Sequence, residues 1–324
     1  MATPQISVAM CTYNGSKYLW EQLQSIASQT QLPSELVICD DGSADNTAQL
    51  LQTFAAQAAF HVQVVSNKER LGPAKNFEKA IRLCTGDIIV LSDQDDIWKP
   101  QKLATLLSAF EEHPEAVYAF SNAELVNADG TPQNLRLWDT VEIRKNWERF
   151  SGPEQLKILL KQNVVTGATM AFRSKFRDIF LPVPPGWMHD YWIAALGSAL
   201  YTGIPIPEPL ILYRQHAMQV VGTVNKPLPQ MLASLASNRN SRVEKVEAFR
   251  VFFERIQGVS ELLPCPDASL RLIQEQRIHL LNREKIRSAR RVARISKVLM
   301  EAFTGRYQRY SESWRSIARD LLMQ

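Results

Sequence analysis

Short apolar runs alternate with amphipathic stretches four times in about 115 residues near the start of this chain. "ISVAMCTY", "ELVICDDGS", "HVQVVSN" and "DIIVLSD" read as strands, each ending in a polar turn. Between the first two, "KYLWEQLQSIASQ" carries Leu19, Leu23 and Ile26 at helical spacing. After Asp45, a candidate helix cap, Ala48, Leu51 and Ala55 share a face. Pro73 stands where a first helical turn starts, ahead of Phe77, Ala80, Ile81 and Cys84. "KLATLLSAF" gives a further helix and "AVYAFSNAELV" a fifth strand. Such alternation means parallel strands with crossover helices, hence an α/β class with a mostly parallel sheet flanked by helices.

In sheets of this kind ligands gather at the carboxyl ends of the strands. The polar residues lie there: Thr12, Tyr13 and Asn14 after the first strand, Asp40 and Asp41 after the second, and Asp93, Asp95 and Asp96 after the fourth. Carboxylates this close raise one another's pKa, so the last cluster is unfavourable unless something neutralises it. A hard divalent cation such as Mg²⁺, Mn²⁺ or Ca²⁺ suits carboxylate oxygens. The plain alternative is a solvated acidic loop, and the coincidence of three polar strand ends argues against it. No GxGxxG or GxxxxGK[ST] occurs, so the ordinary dinucleotide and P-loop cradles are absent.

From about residue 163 the pattern changes. "VVTGATMAFRS" reads as strand, then helix; "PVPPGWMHDYWIAAL" is a proline-rich loop feeding a helix near Asp190; "PEPLILYRQHAMQVVG" is a strand running into a polar segment. After Pro229 nearly everything reads as helical. A basic helix is expected near 276–303, with Ile278, Leu281, Ala289, Val292, Ala293, Leu299 and Phe303 on one broad face. Arg283, Arg287, Arg290, Arg291, Arg294 and Lys297 fill its other sectors. Charge is uneven: 18 Lys and Arg against 23 Asp and Glu in residues 1–224, but 19 against 10 in residues 225–324. An acidic partner for the second part follows. No signal peptide and no stretch near the roughly 18–20 apolar residues of a membrane span is visible. The four cysteines are scattered with no CxxC, which suits buried thiols in a reducing cytoplasm.

"VAMCTYNG", "ICDDGSADNT", "TGDIIVLSDQDDIW" and "MHDYW", taken in order and spacing, resemble the motifs of family 2 glycosyltransferases. The likeness covers roughly residues 5–220. It implies the GT-A fold, a Rossmann-like sheet, here with a helical C-terminal extension. The implied organisation is a catalytic domain over 1–224, with a nucleotide-sugar half about 1–125 and an acceptor half about 126–224, then a basic helical region over 225–324. "DQDDIWKP", "TGATMAF" and "LYRQH…VVG" look most like bacterial rhamnosyltransferases that build surface polysaccharides.

The resemblance also implies roles. Asp96 would hold Mn²⁺ or Mg²⁺, Asp95 would serve the ribose hydroxyls and the metal, and Asp93 would lie close to both. A metal bridging the donor diphosphate neutralises charge that develops as the C1–O bond breaks. Asp41 matches the base-reading carboxylate, which accepts from the imide N–H of uracil or thymine; guanine also offers N–H donors, so the base stays open. Thr12, Tyr13 and Asn14 would line the donor site, with Tyr13 stacked on the base. Asp40 serves either the site or the turn at Gly42. Lys75 and Asn76 open a helix, where an anionic or base contact is natural, and Arg70 is either a contact or surface charge. Asp190 matches the carboxylate that takes the acceptor proton, with helix capping as its competing role. Arg214 would clamp the diphosphate, and His216 would be a third metal ligand or touch the diphosphate. His189 is given no catalytic part. Trp187, Tyr191 and Trp192 suit either sugar faces or core packing.

The implied activity is inverting, metal-dependent transfer of a sugar, rhamnose from dTDP-rhamnose in the first instance, from a dTDP- or UDP-linked donor to a glycan or lipid-linked acceptor. The expected setting is cytoplasmic, peripheral on the inner face of the plasma membrane, with no nucleic acid partner. The basic helices would bind an anionic membrane or form a homodimer. Two rival classes remain. One is a metal-dependent phosphatase or nucleotidyltransferase; a haloacid-dehalogenase-type phosphatase wants its DxD after the first strand, which here ends in "TYNG". The other is a non-catalytic nucleotide-sugar-binding scaffold, against which Asp96 and Asp190 count.

Overall fold

The structure, a computed structural model, describes residues 4–141, 152–217, 240–260, 263 and 265–322. The first strands and helices fall where periodicity puts them. These are β1 (Ile6–Thr12), α1 (Leu19–Ala27), β2 (Glu35–Asp40), α2 (Thr47–Ala55), β3 (His61–Ser66), α3 (Pro73–Leu83) and β4 (Ile88–Ser92). The four strands pair in parallel in the order β3, β2, β1, β4, with Val8 opposite both Leu36 and Val90. Alternate residues serve opposite faces. Val8, Met10, Leu36, Ile38 and Val90 meet Leu19, Leu23 and Ile26 of α1. Ala9, Val37, Ile89 and Leu91 meet Phe77 and Ile81 of α3. Burying each such large side chain contributes about 1.5–3 kcal/mol.

Beyond β4 the order departs from simple alternation. A short strand β5 (Ile97–Trp98) precedes α4 (Lys102–Glu112), so the expected fifth strand is β6 (Ala116–Val126). Next come β7 (Pro132–Arg136), α5 (Leu137–Thr140), α6 (Gly152–Leu159) and β8 (Met170–Arg173). β8 is shorter than the apolar run that suggested it and lies antiparallel between β4 and β6. α7 (Arg177–Phe180) and α8 (His189–Leu200) lead to β9 (Thr202–Arg214), which runs parallel to β6 and carries β5 on its far side. A Cβ on Gly203 would sit 2.2 Å from the Tyr118 ring, so this crossing of β6 and β9 needs glycine. One mostly parallel sheet thus spans both expected halves of the catalytic domain.

The C-terminal helices share that core. α9 (Asn240–Ser260) inserts Phe249, Phe252 and Ile256 against Trp187 and Trp192. α10 (Asp267–Arg287), α11 (Arg291–Phe303), α12 (Arg306–Tyr310) and α13 (Trp314–Leu322) follow. The single helix expected over 276–303 is therefore two. Ser288 Oγ bonds back to the Glu284 and Lys285 carbonyls, competing with the helix ladder, and Arg290 is extended. The break lets Ile286, Val298 and Tyr307 form a small core of their own. Beside it lies a buried polar network. His279 Nδ1 is 2.8 Å from Glu301 Oε1 and its Nε2 is 2.8 Å from Ser311 Oγ, while Asp320 accepts from Arg283, Arg287 and the Tyr307 hydroxyl. The expected boundary at residue 224, and the "VVG" of the last motif, lie outside the described residues. Among the described residues no helix is long and apolar enough to cross a membrane.

Candidate active site

β1 pairs with β2 on one side and β4 on the other, so the strand order reverses between β1 and β4 and a crevice opens at their carboxyl ends. A cavity of about 590 Å³ lies there. Thr12, Tyr13, Asn14, Asp41, Asp93, Asp95, Asp190 and His216 all line it, although they come from five separate stretches of chain.

The first two strand ends build its floor. Thr12 Oγ1 donates to Asp40 Oδ1 at 2.7 Å, and Asp40 also accepts from the Ser43 amide and hydroxyl. Asp40 therefore serves the turn. Asn14, at φ 47, takes the Ala44 N–H on its side chain and gives its own N–H to Ser43 Oγ, tying the two loops together. Asp41 is buried and accepts from Leu71 N (2.7 Å), Gly72 N (2.8 Å) and Asn67 Nδ2 (2.9 Å). A carboxylate has about four acceptor positions, so one is left for a ligand. Asn76 also pins this region, joining Asn67 to the Cys39 carbonyl. Arg70 lies over the Tyr13 ring at 3.8 Å, and Gln94 grips the Tyr13 backbone at both N–H and C=O.

The acidic cluster divides in two. Asp93 and Asp95 face the cavity; Asp96 is fully buried and does not line it. Asp95 Oδ2 lies 2.7 Å from His216 Nε2. Burial raises the Asp93 pKa, and the charges of Asp95 and Asp190 raise it further. Asp96 is raised by burial and by Asp95 and Asp93; its Oδ1 accepts from Arg214 N, and its Oδ2 has no partner among the described residues. The buried Lys102 opposes both shifts. Its Nζ donates to the Ala168 carbonyl and sits over the Trp98 ring, and burial brings its pKa down to about 7.

Across the cavity, Asp190 occupies the first turn of α8, with Met188 as the N-cap. It accepts from Gly167 N at 3.0 Å and Tyr191 N at 2.6 Å. His189 beside it is buried, stacks on Phe77 at 3.9 Å, and has no hydrogen-bond partner for either ring nitrogen among the described residues. A Cβ on Gly167 would come within 2.9 Å of His189 Nε2, so glycine there leaves the ring its space.

Other expected site residues point elsewhere. Lys75 binds Glu78 at 2.7 Å and the Val183 carbonyl at 2.8 Å, outside the cavity lining, because an acidic partner three residues on captures it. Arg214 is buried beneath the site. It donates to the Asp95 and Ala128 carbonyls and pairs with Glu21 at 2.6 Å, so its guanidinium is committed to holding three chain segments. Trp187 and Trp192 are buried, with their N–H groups on the Ala248 and Phe180 carbonyls, and the half-buried Tyr191 gives its hydroxyl to Leu159 O. Periodicity gives no sign of the Gln94 grip or of Lys102 beneath the acids. His189 was visible as a polar residue inside an aromatic loop, and its burial is what gives it weight.

These features can be compared with known proteins. An uncharacterized protein of Mycobacterium tuberculosis is 25% identical over 65% of this chain, which spans 59% of that protein's length. The dTDP-rhamnosyl transferase RfbG of Shigella flexneri is 27% identical over 66% of this chain and 73% of its own. Among solved structures, S. aureus TarS 1–349 matches with a TM-score of 0.58 at 18% identity, over 85% of this chain and 71% of that one. The Pyrobaculum calidifontis mannosyltransferase PcManGT, crystallised with GDP-Man and Mn²⁺, matches with a TM-score of 0.53 at 17% identity, over 99% and 86%. These likenesses bear out the expected α/β fold. The family model for Glycosyl transferase family 2 matches residues 7–180, more than half of the 324, and the chain belongs to that family.

Proposed function

We propose that the cavity takes a nucleotide-sugar and that the chain transfers its sugar, with inversion, to a hydroxyl of a glycan or lipid-linked acceptor. The observation that carries this is the gathering of Asp41, Asp93, Asp95, His216 and Asp190 on one cavity. The Asp41 carboxylate reads the base with its remaining acceptor position, and the Tyr13 face, backed by Arg70, stacks on it. The reading of the donor as dTDP-rhamnose draws support from the likeness to RfbG.

The donor set fits a divalent metal, Mn²⁺ or Mg²⁺. Asp93 and Asp95 offer carboxylate oxygens and His216 an imidazole, donor types that suit such a cation. Among the described residues no group of three or more His, Cys, Asp or Glu side chains forms a ready-made cage. A cation there would be held by one or two side chains together with the donor diphosphate. Asp95 and His216 are its proposed holders, with Asp93 at hand; Asp96 supports them from behind through Arg214. When bound, the metal supplies positive charge to the departing diphosphate.

Asp190 removes the proton of the acceptor hydroxyl as that oxygen attacks C1. The C1–O bond to the diphosphate breaks, the leaving group keeps the electron pair, and configuration inverts. His189, whose two buried ring nitrogens have no partner among the described residues, lines the same cavity beside Asp190. The proposed setting is the cytoplasm, at the inner face of the plasma membrane. A panel of UDP- and dTDP-sugars with Mn²⁺ or Mg²⁺, followed by release of nucleoside diphosphate, tests this reading without knowledge of the acceptor. Metal-dependent release from one donor supports it. Nucleotide binding without turnover on any donor or acceptor would favour a scaffold, and release of inorganic phosphate a phosphatase.

A further inference from the structure

α11 buries two charged side chains and exposes most of its large apolar ones. Its charged residues Arg294 and Glu301 are buried, Arg294 on the Arg287 and Ala289 carbonyls and Glu301 on His279, Asn282 and Arg306. Val298 packs inward, but the helix's other large apolar residues face outward: Val292 is 86% exposed, Leu299 53% and Phe303 89%, with Ile295 and Met300 also exposed. At 100° per residue, Val292, Ile295, Leu299 and Phe303 fall within one narrow stripe, with Met300 on its flank. Folding therefore leaves these side chains in water, where each forgoes the stabilisation of burial.

Charge chooses among the occupants. No described carboxylate is exposed on α11, since its one acid, Glu301, is buried. Lys297 is exposed on the side of the helix beyond Met300, and Arg290 is exposed at its N-cap. Nearby, α13 packs on α11 and carries exposed Trp314 with Arg315 over its ring at 5.7 Å. Residues 225–324 as a whole hold 19 basic and 10 acidic side chains. A second copy docked on the same stripe would bring like charges together. An anionic bilayer instead receives the apolar face among its acyl chains and the cations among its headgroups. We infer that α11 is an interfacial membrane anchor, lying in the plane of an anionic lipid surface with Val292, Leu299 and Phe303 inserted. The inference does not depend on donor chemistry. The bundle that carries α11 is joined to the catalytic part, because α10 packs on α6 and α8.

The test uses the full chain with sucrose-loaded vesicles of phosphatidylcholine alone or mixed with phosphatidylglycerol. Two variants accompany it, Val292→Ser/Leu299→Ser/Phe303→Ser and Arg290→Glu/Lys297→Glu. All five side chains are exposed, so melting temperature and nucleotide binding should match the parent. The expected result is pelleting with the anionic vesicles that weakens with salt, falls about tenfold or more in the triple variant, and falls severalfold in the charge-reversed one. The inference is overturned if the parent stays in the supernatant, if it pellets equally on neutral vesicles, or if the triple variant pellets like the parent. Light scattering that shows a dimer dissolved by the triple substitution, without vesicle binding, would assign the face to a second copy instead. Loss of sugar transfer with vesicle binding intact would bear on the proposed function alone.

Discussion

His216 Nε2 stands 2.7 Å from Asp95 Oδ2, joining the residues after β9 to the acidic turn after β4. The contact orients one of the two acids of the cluster that face the cavity, and Asp96 lies behind them. Replacing His216 by Ala should weaken Mn²⁺-dependent binding of the donor nucleotide by about 10–100-fold, as loss of an orienting partner does. Asp95→Asn should do at least as much. Asp96→Asn, which keeps an acceptor for Arg214 N, should leave that affinity within about threefold. Calorimetric titration with and without Mn²⁺ checks all three. A larger loss in Asp96→Asn than in Asp95→Asn would return the metal to Asp96.

Asp190→Asn removes basicity and keeps shape. The expected outcome is a fall in kcat of about 10²–10⁴-fold with donor affinity nearly unchanged. Asn accepts with one oxygen only, so one of the bonds from Gly167 and Tyr191 is lost, at a cost of about 1 kcal/mol. Rate measurements on the true acceptor, with donor affinity measured in parallel, separate chemistry from structure. Transfer at the parental rate would remove Asp190 as the base.

His189 carries two buried nitrogens without partners among the described residues, and leaving such a group unmet costs about 1–3 kcal/mol. His189→Phe keeps the stack on Phe77 and removes both nitrogens. It should hold or raise the melting temperature while lowering kcat/KM about 10–100-fold. Unchanged kinetics would make the ring a spacer.

Arg214 is expected to act on stability. Arg214→Met leaves the Asp95 and Ala128 carbonyls and Glu21 without their cation, at about 3 kcal/mol in urea unfolding. Lys75→Ala, outside the cavity, should leave donor affinity unchanged. A variant of Lys75 that loses donor affinity selectively would restore its expected contact.

The C-terminal bundle should be acid-sensitive. Burial lowers the His279 pKa from 6.5 to about 4, against the opposing pull of Glu301 and Asp320 and with the help of Arg283. Between those two values the unfolded chain binds more protons than the folded one, so stability is full above about 6.5 and falls as pH drops toward 4. The loss is on the order of 2–3 kcal/mol. Melting curves at pH 7.5 and 5, with His279→Gln as the comparison, read it out. An equal slope in both proteins would place the sensitivity elsewhere.

The sequence by itself determined the parallel β1–β4 sheet and the strand ends where ligands gather. Periodicity is local: Leu19, Leu23 and Ile26 turn one face of a helix inward whatever the partner is. It also exposed the acids, because three carboxylates in four positions need an explanation without any coordinates. Tertiary structure decided which of them faces the cavity. A turn of chain that puts Asp95 against His216 and Asp96 against the Arg214 amide depends on β9, more than a hundred residues away. The same holds for Arg214 and Lys75, whose charge suggested phosphate while nearer partners, Glu21 and Glu78, satisfied it. It holds again for α11. Its apolar stripe was legible as a stripe, but a helical pattern states only that one face differs from the other. The face that turns inward carries Val298, packed on Ile286 and Tyr307, and Glu301, which meets His279 and Arg306, and Phe303 is left in the water.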